Sequence, residues 1–255
     1  MRYTFGDTIT ADERLKNISE VFNPFSAEFI RENIHGKINS VIDLGCGPGY
    51  STEMVAESTS AKIVTGIDIS ENFLLSAAAR YKKYTFIKCN ITTDFPPIKS
   101  DVIYFRFLLS HLKNINELLL NWINHLNKNG ILIIDELEDI YTDNDLFYDY
   151  ITINQGLIAS QGTDLFVGRT LDRELTGLKV LAGKSYLHRV PDYKAALMFY
   201  PNTISIWEKE DWIKKNVPED KRKRISERLY FTSNEKSEKS TITWKMKRII
   251  LCNNL

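Results

Sequence analysis

The chain has 255 residues and a formal net charge of 0, from 33 basic and 33 acidic side chains, so it lacks the long-range positive field with which nucleic-acid binders attract phosphate. Its 43% hydrophobic and 26% charged content is that of an ordinary globule, long enough for one well-cored domain with a cap or for two small domains. No apolar run reaches the ~18 residues of a membrane span, Met1 leads into polar sequence, and Cys46, Cys89 and Cys252 stand at no metal-ligand spacing, so a cytoplasmic protein without metal, membrane or nucleic-acid partner is expected.

In chain order, residues 10–21 and 26–34 read as two helices, the second capped by Ser26 and parted from the first by Asn23-Pro24. Short apolar strands follow at 40–44, 62–67, 84–88, 102–106 and 131–135, the pattern of a parallel sheet covered on both faces. Helical spacing occupies 72–80 and 115–126, with Asn129-Gly130 closing the second helix. Residues 145–178 read as helical, and 185–190 and 242–251 alternate as strands around a polar helical stretch. In that stretch Lys221-Arg222-Lys223-Arg224 forms a solvated face. The expected organisation is a single domain over 1–255: an N-terminal helical cap (1–37), a core (38–140), a helical insertion (141–184) that roofs the site, and a C-terminal completion of the sheet (185–255).

The most informative run is Val41 to Thr52, in which an apolar strand delivers Asp43 and then glycines at 45, 47 and 49 before a helix opens near Ser51. Glycines there let the backbone turn tightly and approach a ligand, and the helix aims unpaired N–H groups at it. A dinucleotide fingerprint needs glycine at the sixth position, which here is Tyr50, and a phosphate loop needs a Gly-Lys ending, whereas no lysine lies between Ile38 and Ala61.

Asp43-Leu44-Gly45-Cys46-Gly47-Pro48-Gly49 resembles the first motif of the class I, Rossmann-like S-adenosylmethionine-dependent methyltransferases, closely over residues 38–140. The resemblance implies an α/β fold: a doubly wound, mostly parallel seven-stranded sheet with an antiparallel last strand. It implies S-adenosyl-L-methionine as cofactor and S-adenosyl-L-homocysteine as product. By the same resemblance Gly45, Cys46, Gly47 and Gly49 cradle the cofactor, Asp43 lies near its amino group, and Ile69 packs on adenine. Arg106 and Phe107 pass beneath the methyl group, and Tyr3 with Arg14 closes over the amino acid end.

Asp68, about 20 residues beyond the loop, is placed to accept hydrogen bonds from ribose hydroxyls. Asn90, beside Ile91, stands where the family usually has aspartate; its carbonyl can accept from the adenine amine and its amide can donate to a ring nitrogen. His111 is a candidate base or substrate orienter, with helix capping as the plainer role. Asp135 and Glu136 are expected to end the fifth strand facing the same crevice, and Gln161, Arg169 and His188 to point in from the additions. The reaction expected is methyl transfer to N or O of a small molecule by a monomer or homodimer. An RNA or protein methyltransferase and a non-catalytic S-adenosylmethionine-binding protein stand as alternatives.

Overall fold

The computed structural model describes residues 6–235 and 238–252, so Tyr3 lies outside the described residues. Seven strands form one sheet in the order β3-β2-β1-β4-β5-β7-β6. They are β1 (Ser40–Leu44), β2 (Ile63–Asp68), β3 (Thr85–Lys88), β4 (Ser100–Arg106), β5 (Leu126–Tyr141), β6 (Lys179–Pro191) and β7 (Thr241–Cys252). The first five pair in parallel, and β7 runs antiparallel to both β5 and β6. Strand order reverses between β1 and β4, and in an open sheet a ligand lies outside the strand ends at such a point.

Alternation along the strands sorts the core into two layers. Val41, Val102, Tyr104, Ile133 and Ile250 face α1 (Ile9–Asn33) and α2 (Tyr50–Thr59), where Phe29, Ile30 and Val55 meet them. Ile42, Leu44, Ile103, Phe105, Leu132 and Ile134 face the other way, toward Leu119 and Trp122 of α4 (Ile115–Ile123). A third apolar cluster sits beyond the carboxyl edge of the sheet. It joins α5 (Asp145–Ser160), α7 (Asp192–Ser205), α8 (Asp211–Asn216) and α9 (Glu219–Glu235) to Phe22, Leu137 and Trp244. The remaining helices are α3 (Glu71–Arg80) and the single turn α6 (Leu171–Glu174).

The N-terminal region is one helix, not two. α1 starts at a Thr8 cap and carries Pro24 inside it. An interior proline costs roughly 3 kcal/mol, but Phe22, Phe29 and Ile30 on either side are almost fully buried and are worth ~1.5–3 kcal/mol each, so packing outweighs the missing bond. Ser26 therefore caps nothing; its hydroxyl lies 2.5 Å from Asp135 Oδ2.

Two further boundaries differ from expectation. α4 stops at Ile123, and Asn129-Gly130 lies inside a bulge at the start of β5, between the pairs Ser100–Leu126 and Val102–Ile131. Asn129 adopts φ +62°, and a Cβ on Gly130 would stand 2.9 Å from the Asn127 carbonyl, so the glycine serves close packing rather than a cap. β5 also runs on past Asp135 to Tyr141, because antiparallel pairing with β7 continues to Tyr141–Thr243 after β4 has ended. The roof comes from two connections. One is α5 with α6; the other is α7 to α9 between β6 and β7, where only a polar helical stretch was expected.

Candidate active site

Gly45, Gly47 and Gly49 all have positive φ, at +65°, +52° and +87°, the left-handed region that side chains disfavour. Gly45 and Cys46 both donate to the Ile67 carbonyl, which pins the loop across the end of β2. A Cβ on Gly49 would meet the Tyr81 ring at 2.9 Å, so Gly49 is there for packing at the start of α2. Gly47 lines the cavity, and its N–H donates to Asp68 Oδ2 at 2.9 Å.

Asp68 ends β2 beside that loop, and its second oxygen accepts from the Ser70 N–H at 2.8 Å. Burial pushes its carboxyl up despite these donors. Each carboxylate oxygen has a second lone pair, so the group can still receive a diol. Asp43 lies elsewhere: it is buried beneath the loop, accepts from the Ser51 and Thr52 hydroxyls at 2.7 Å each, and does not line the cavity. It anchors the first turn of α2, and burial raises its pKa to about 6.

One cavity of about 250 Å³ runs from this cradle along the carboxyl edge of the sheet. Arg14, Gly45, Cys46, Gly47, Asp68, Ile69, Asn90, Ile91, Arg106, Phe107 and His111 all line it, although they come from α1 and from the ends of four strands. Asn90 is partly occupied with its own loop, its Oδ1 accepting from the Thr92 hydroxyl at 2.8 Å and the Thr92 N–H at 3.3 Å. The adenine amine would have to compete for that oxygen. Arg106 donates to Asn23 Oδ1 at 2.8 Å and Ser26 Oγ at 3.0 Å, which fixes its guanidinium against α1. Phe107 has φ +54°, and this turns the chain sharply into the 3-10 turn Leu109–His111. His111 is half-buried, and desolvation with the Arg14 charge second pushes its pKa down to about 4. The ring is therefore neutral near pH 7 and a weak base.

None of the five expected acceptor-side residues reaches the cavity. Asp135 and Glu136 sit mid-strand because β5 is longer than expected. Asp135 accepts from Arg248 Nε at 2.9 Å and the Tyr104 hydroxyl at 3.2 Å. Glu136 Oε1 receives the N–H groups of Leu108 and Leu109 at 2.7 and 2.9 Å, holding the turn that carries His111. Its burial raises the carboxyl to about pKa 8, so it stays protonated at neutral pH. Gln161 is exposed at the end of α5, and Arg169 pairs with Asp139 at 2.7 Å on the surface. His188 is buried on β6, stacked on Phe25 at 3.9 Å, because its strand position turns it under α1.

The residues that do enclose the far end were missed. They are Phe22 on α1, Tyr150 and Asn154 on α5, Met198, Phe199 and Asn202 on α7, and Trp244 on β7. Asn202 Nδ2 donates to the Tyr150 hydroxyl at 2.7 Å, and Asn154 Nδ2 to the Tyr150 carbonyl at 2.8 Å. A signal existed: Asn154 interrupts the apolar face that carries Tyr150, Ile151, Leu157 and Ile158, and an amide on such a face needs a partner.

The strand order and the left-handed glycine cradle ahead of α2 give the chain a Rossmann-like fold, and the sequence profile of a methyltransferase domain matches residues 42–132. Among curated proteins the chain is similar to a trans-aconitate 2-methyltransferase from Rhodopseudomonas palustris, at 35% identity over 98 residues. The match spans 37% of this chain and 37% of that relative, so well under half the length of the relative is covered. Among solved structures, coclaurine N-methyltransferase bound to N-methylheliamine and SAH superposes with a TM-score of 0.54 at 14% identity, over 90% of this chain and 71% of the other. Geranyl diphosphate methyltransferase in complex with GPP and sinefungin gives 0.53 at 13%, over 98% and 85%. At these identities the two structures speak for the fold alone.

Proposed function

We propose that the protein transfers a methyl group from S-adenosylmethionine to N or O of a small molecule. The observation that carries this reading is one continuous, partly open cavity joining the Gly47–Asp68 cradle to an apolar chamber. The cradle suits an adenosyl group: Gly47 leaves room where a side chain would project, Asp68 keeps lone pairs for a diol, and Ile69 and Ile91 offer apolar walls to a purine. The cofactor, when bound, supplies an electrophilic methyl on a sulfonium.

The chain's own residues then have to align the acceptor and exclude water; orientation of this kind can supply ~7–11 kcal/mol. α1, α5 and α7 close the chamber, which suits a small acceptor and disfavours a folded RNA or protein. His111, neutral and held by the Glu136-anchored turn, serves here to orient the acceptor rather than to take its proton. Thermal melting tests the reading. S-adenosylhomocysteine at 100 times its dissociation constant should stabilise the fold by ~2.7 kcal/mol while NAD leaves it unmoved; a response to NAD alone overturns the assignment.

A further inference from the structure

Resting on the methyl-transfer reading, we infer that the acceptor is an uncharged aromatic molecule that is methylated on a ring nitrogen or aryl amine, bound in the chamber formed by Phe22, Phe107, Tyr150, Phe199 and Trp244. The first argument is charge. Among the described residues, the charged side chains on the cavity are Arg14, Asp68 and Arg106. Asp68 sits at the glycine cradle, and Arg106 is hydrogen-bonded to Asn23 and Ser26. S-adenosylmethionine brings a carboxylate of its own, which Arg14 is placed to meet. A buried carboxylate without a partner costs several kcal/mol, so a polycarboxylate such as trans-aconitate finds too few cations. An ammonium acceptor fares no better, because its protonated nitrogen has no lone pair with which to form the new bond.

The second argument is the wall. Five aromatic side chains surround the chamber, with Tyr150 stacked on Phe199 at 4.1 Å and Phe22 edge-on to Phe107 at 5.3 Å and to Trp244 at 5.9 Å. Such faces pack against a flat ring, and they attract positive charge. In the transfer the nitrogen lone pair forms the new N–C bond, the C–S bond breaks, and its electron pair stays on sulfur as a neutral thioether. The positive charge thus passes from sulfur to nitrogen, where the aromatic faces stabilise it as it develops. An aryl amine then loses its proton to water, and a ring nitrogen keeps its charge.

The third argument is the absence of a suitable base among the described lining residues. His111 is held near pKa 4 and Tyr150 is pushed well above the ordinary phenol range by burial. A neutral nitrogen needs no deprotonation before attack, whereas a phenol does. The Tyr150 hydroxyl accepts from Asn202 and keeps its own proton to donate, so it can orient a second polar atom on the ring.

The test uses the whole protein with methyl-labelled S-adenosylmethionine and four probes: quinoline, 2-naphthol, naphthalene and trans-aconitate. Expected is N-methylquinolinium, formed at least 10-fold faster than any product from 2-naphthol, with no transfer to trans-aconitate. Phe199→Leu should lower kcat on quinoline about 10-fold while S-adenosylhomocysteine affinity stays within 2-fold. Faster methylation of 2-naphthol or trans-aconitate, or no methylation of quinoline at 10 mM by protein that binds S-adenosylhomocysteine, overturns the inference. Protein that does not bind S-adenosylhomocysteine overturns the methyl-transfer reading itself.

Discussion

The two ends of the cavity are built differently. The cradle end comes from the tips of β1, β2 and β4, strands that pair in parallel with their neighbours, and its contacts are mainly backbone N–H groups and one carboxylate. The chamber end comes from α1, α5, α7 and β7, which lie up to some 230 residues apart in the chain, and its contacts are side chains. Backbone held in a sheet is fixed by many hydrogen bonds, so the cradle tolerates little change; side chains on packed helices can be exchanged without moving the frame. The matched domain, residues 42–132, contains the cradle and stops short of α5, α7 and β7. The profile match therefore includes the cradle and leaves the chamber outside it.

Substitutions should separate the two ends. The largest effect is expected for Gly47→Val, which adds a branched side chain at φ +52° on the cavity wall. S-adenosylhomocysteine affinity should fall at least ~1,000-fold, about 4 kcal/mol, by calorimetric titration, with melting retained. Retained affinity would mean that the loop only joins strand to helix.

A smaller effect, on stability, is expected where the two ends meet. Glu136 holds the turn between them and has its folded pKa raised from 4.5 to about 8, so its contribution is present below pH 4.5 and is lost as pH rises through about 8. Glu136→Gln keeps the acceptor oxygen for Leu108 and Leu109 and removes the titration. The variant should gain about 3 kcal/mol on wild type between pH 5 and 7.5 in denaturant unfolding. A pH-independent difference would show the carboxyl to be ionised in the fold.

The smallest effect belongs to His111. With its pKa near 4, His111→Asn should lower turnover less than ~10-fold, and the wild-type rate should carry no rise attributable to this ring between pH 5.5 and 8. A drop of ~100-fold or more with a rate that climbs near pH 6.5 would restore it as a base.

The same division explains what the sequence made legible. The strands β1 to β4, the glycine loop and Asp68 follow from local periodicity and from glycines whose positive φ excludes other residues. The end of β5 is set by β7, more than a hundred residues later, and Asp135 and Glu136 were placed at a strand end on parallel-sheet reasoning alone. Pro24 marked a break that burial of Phe22 and Ile30 overrides. Tyr150, Asn154 and Asn202 sit on helices whose spacing reads as ordinary core, and which side of the core holds a cavity is a property of three helices together.

The protonated Glu136 has a consequence for the heat of folding. Near pH 7 the unfolded chain carries this carboxyl ionised and the folded one carries it neutral, so folding draws nearly one proton from the buffer at this site. His111 and His188, both held near pKa 4 by burial, together return roughly half a proton. The calorimetric enthalpy of unfolding therefore depends on the ionisation enthalpy of the buffer, and its slope across a buffer series gives the net proton change, the uptake at Glu136 less the release from the two histidines.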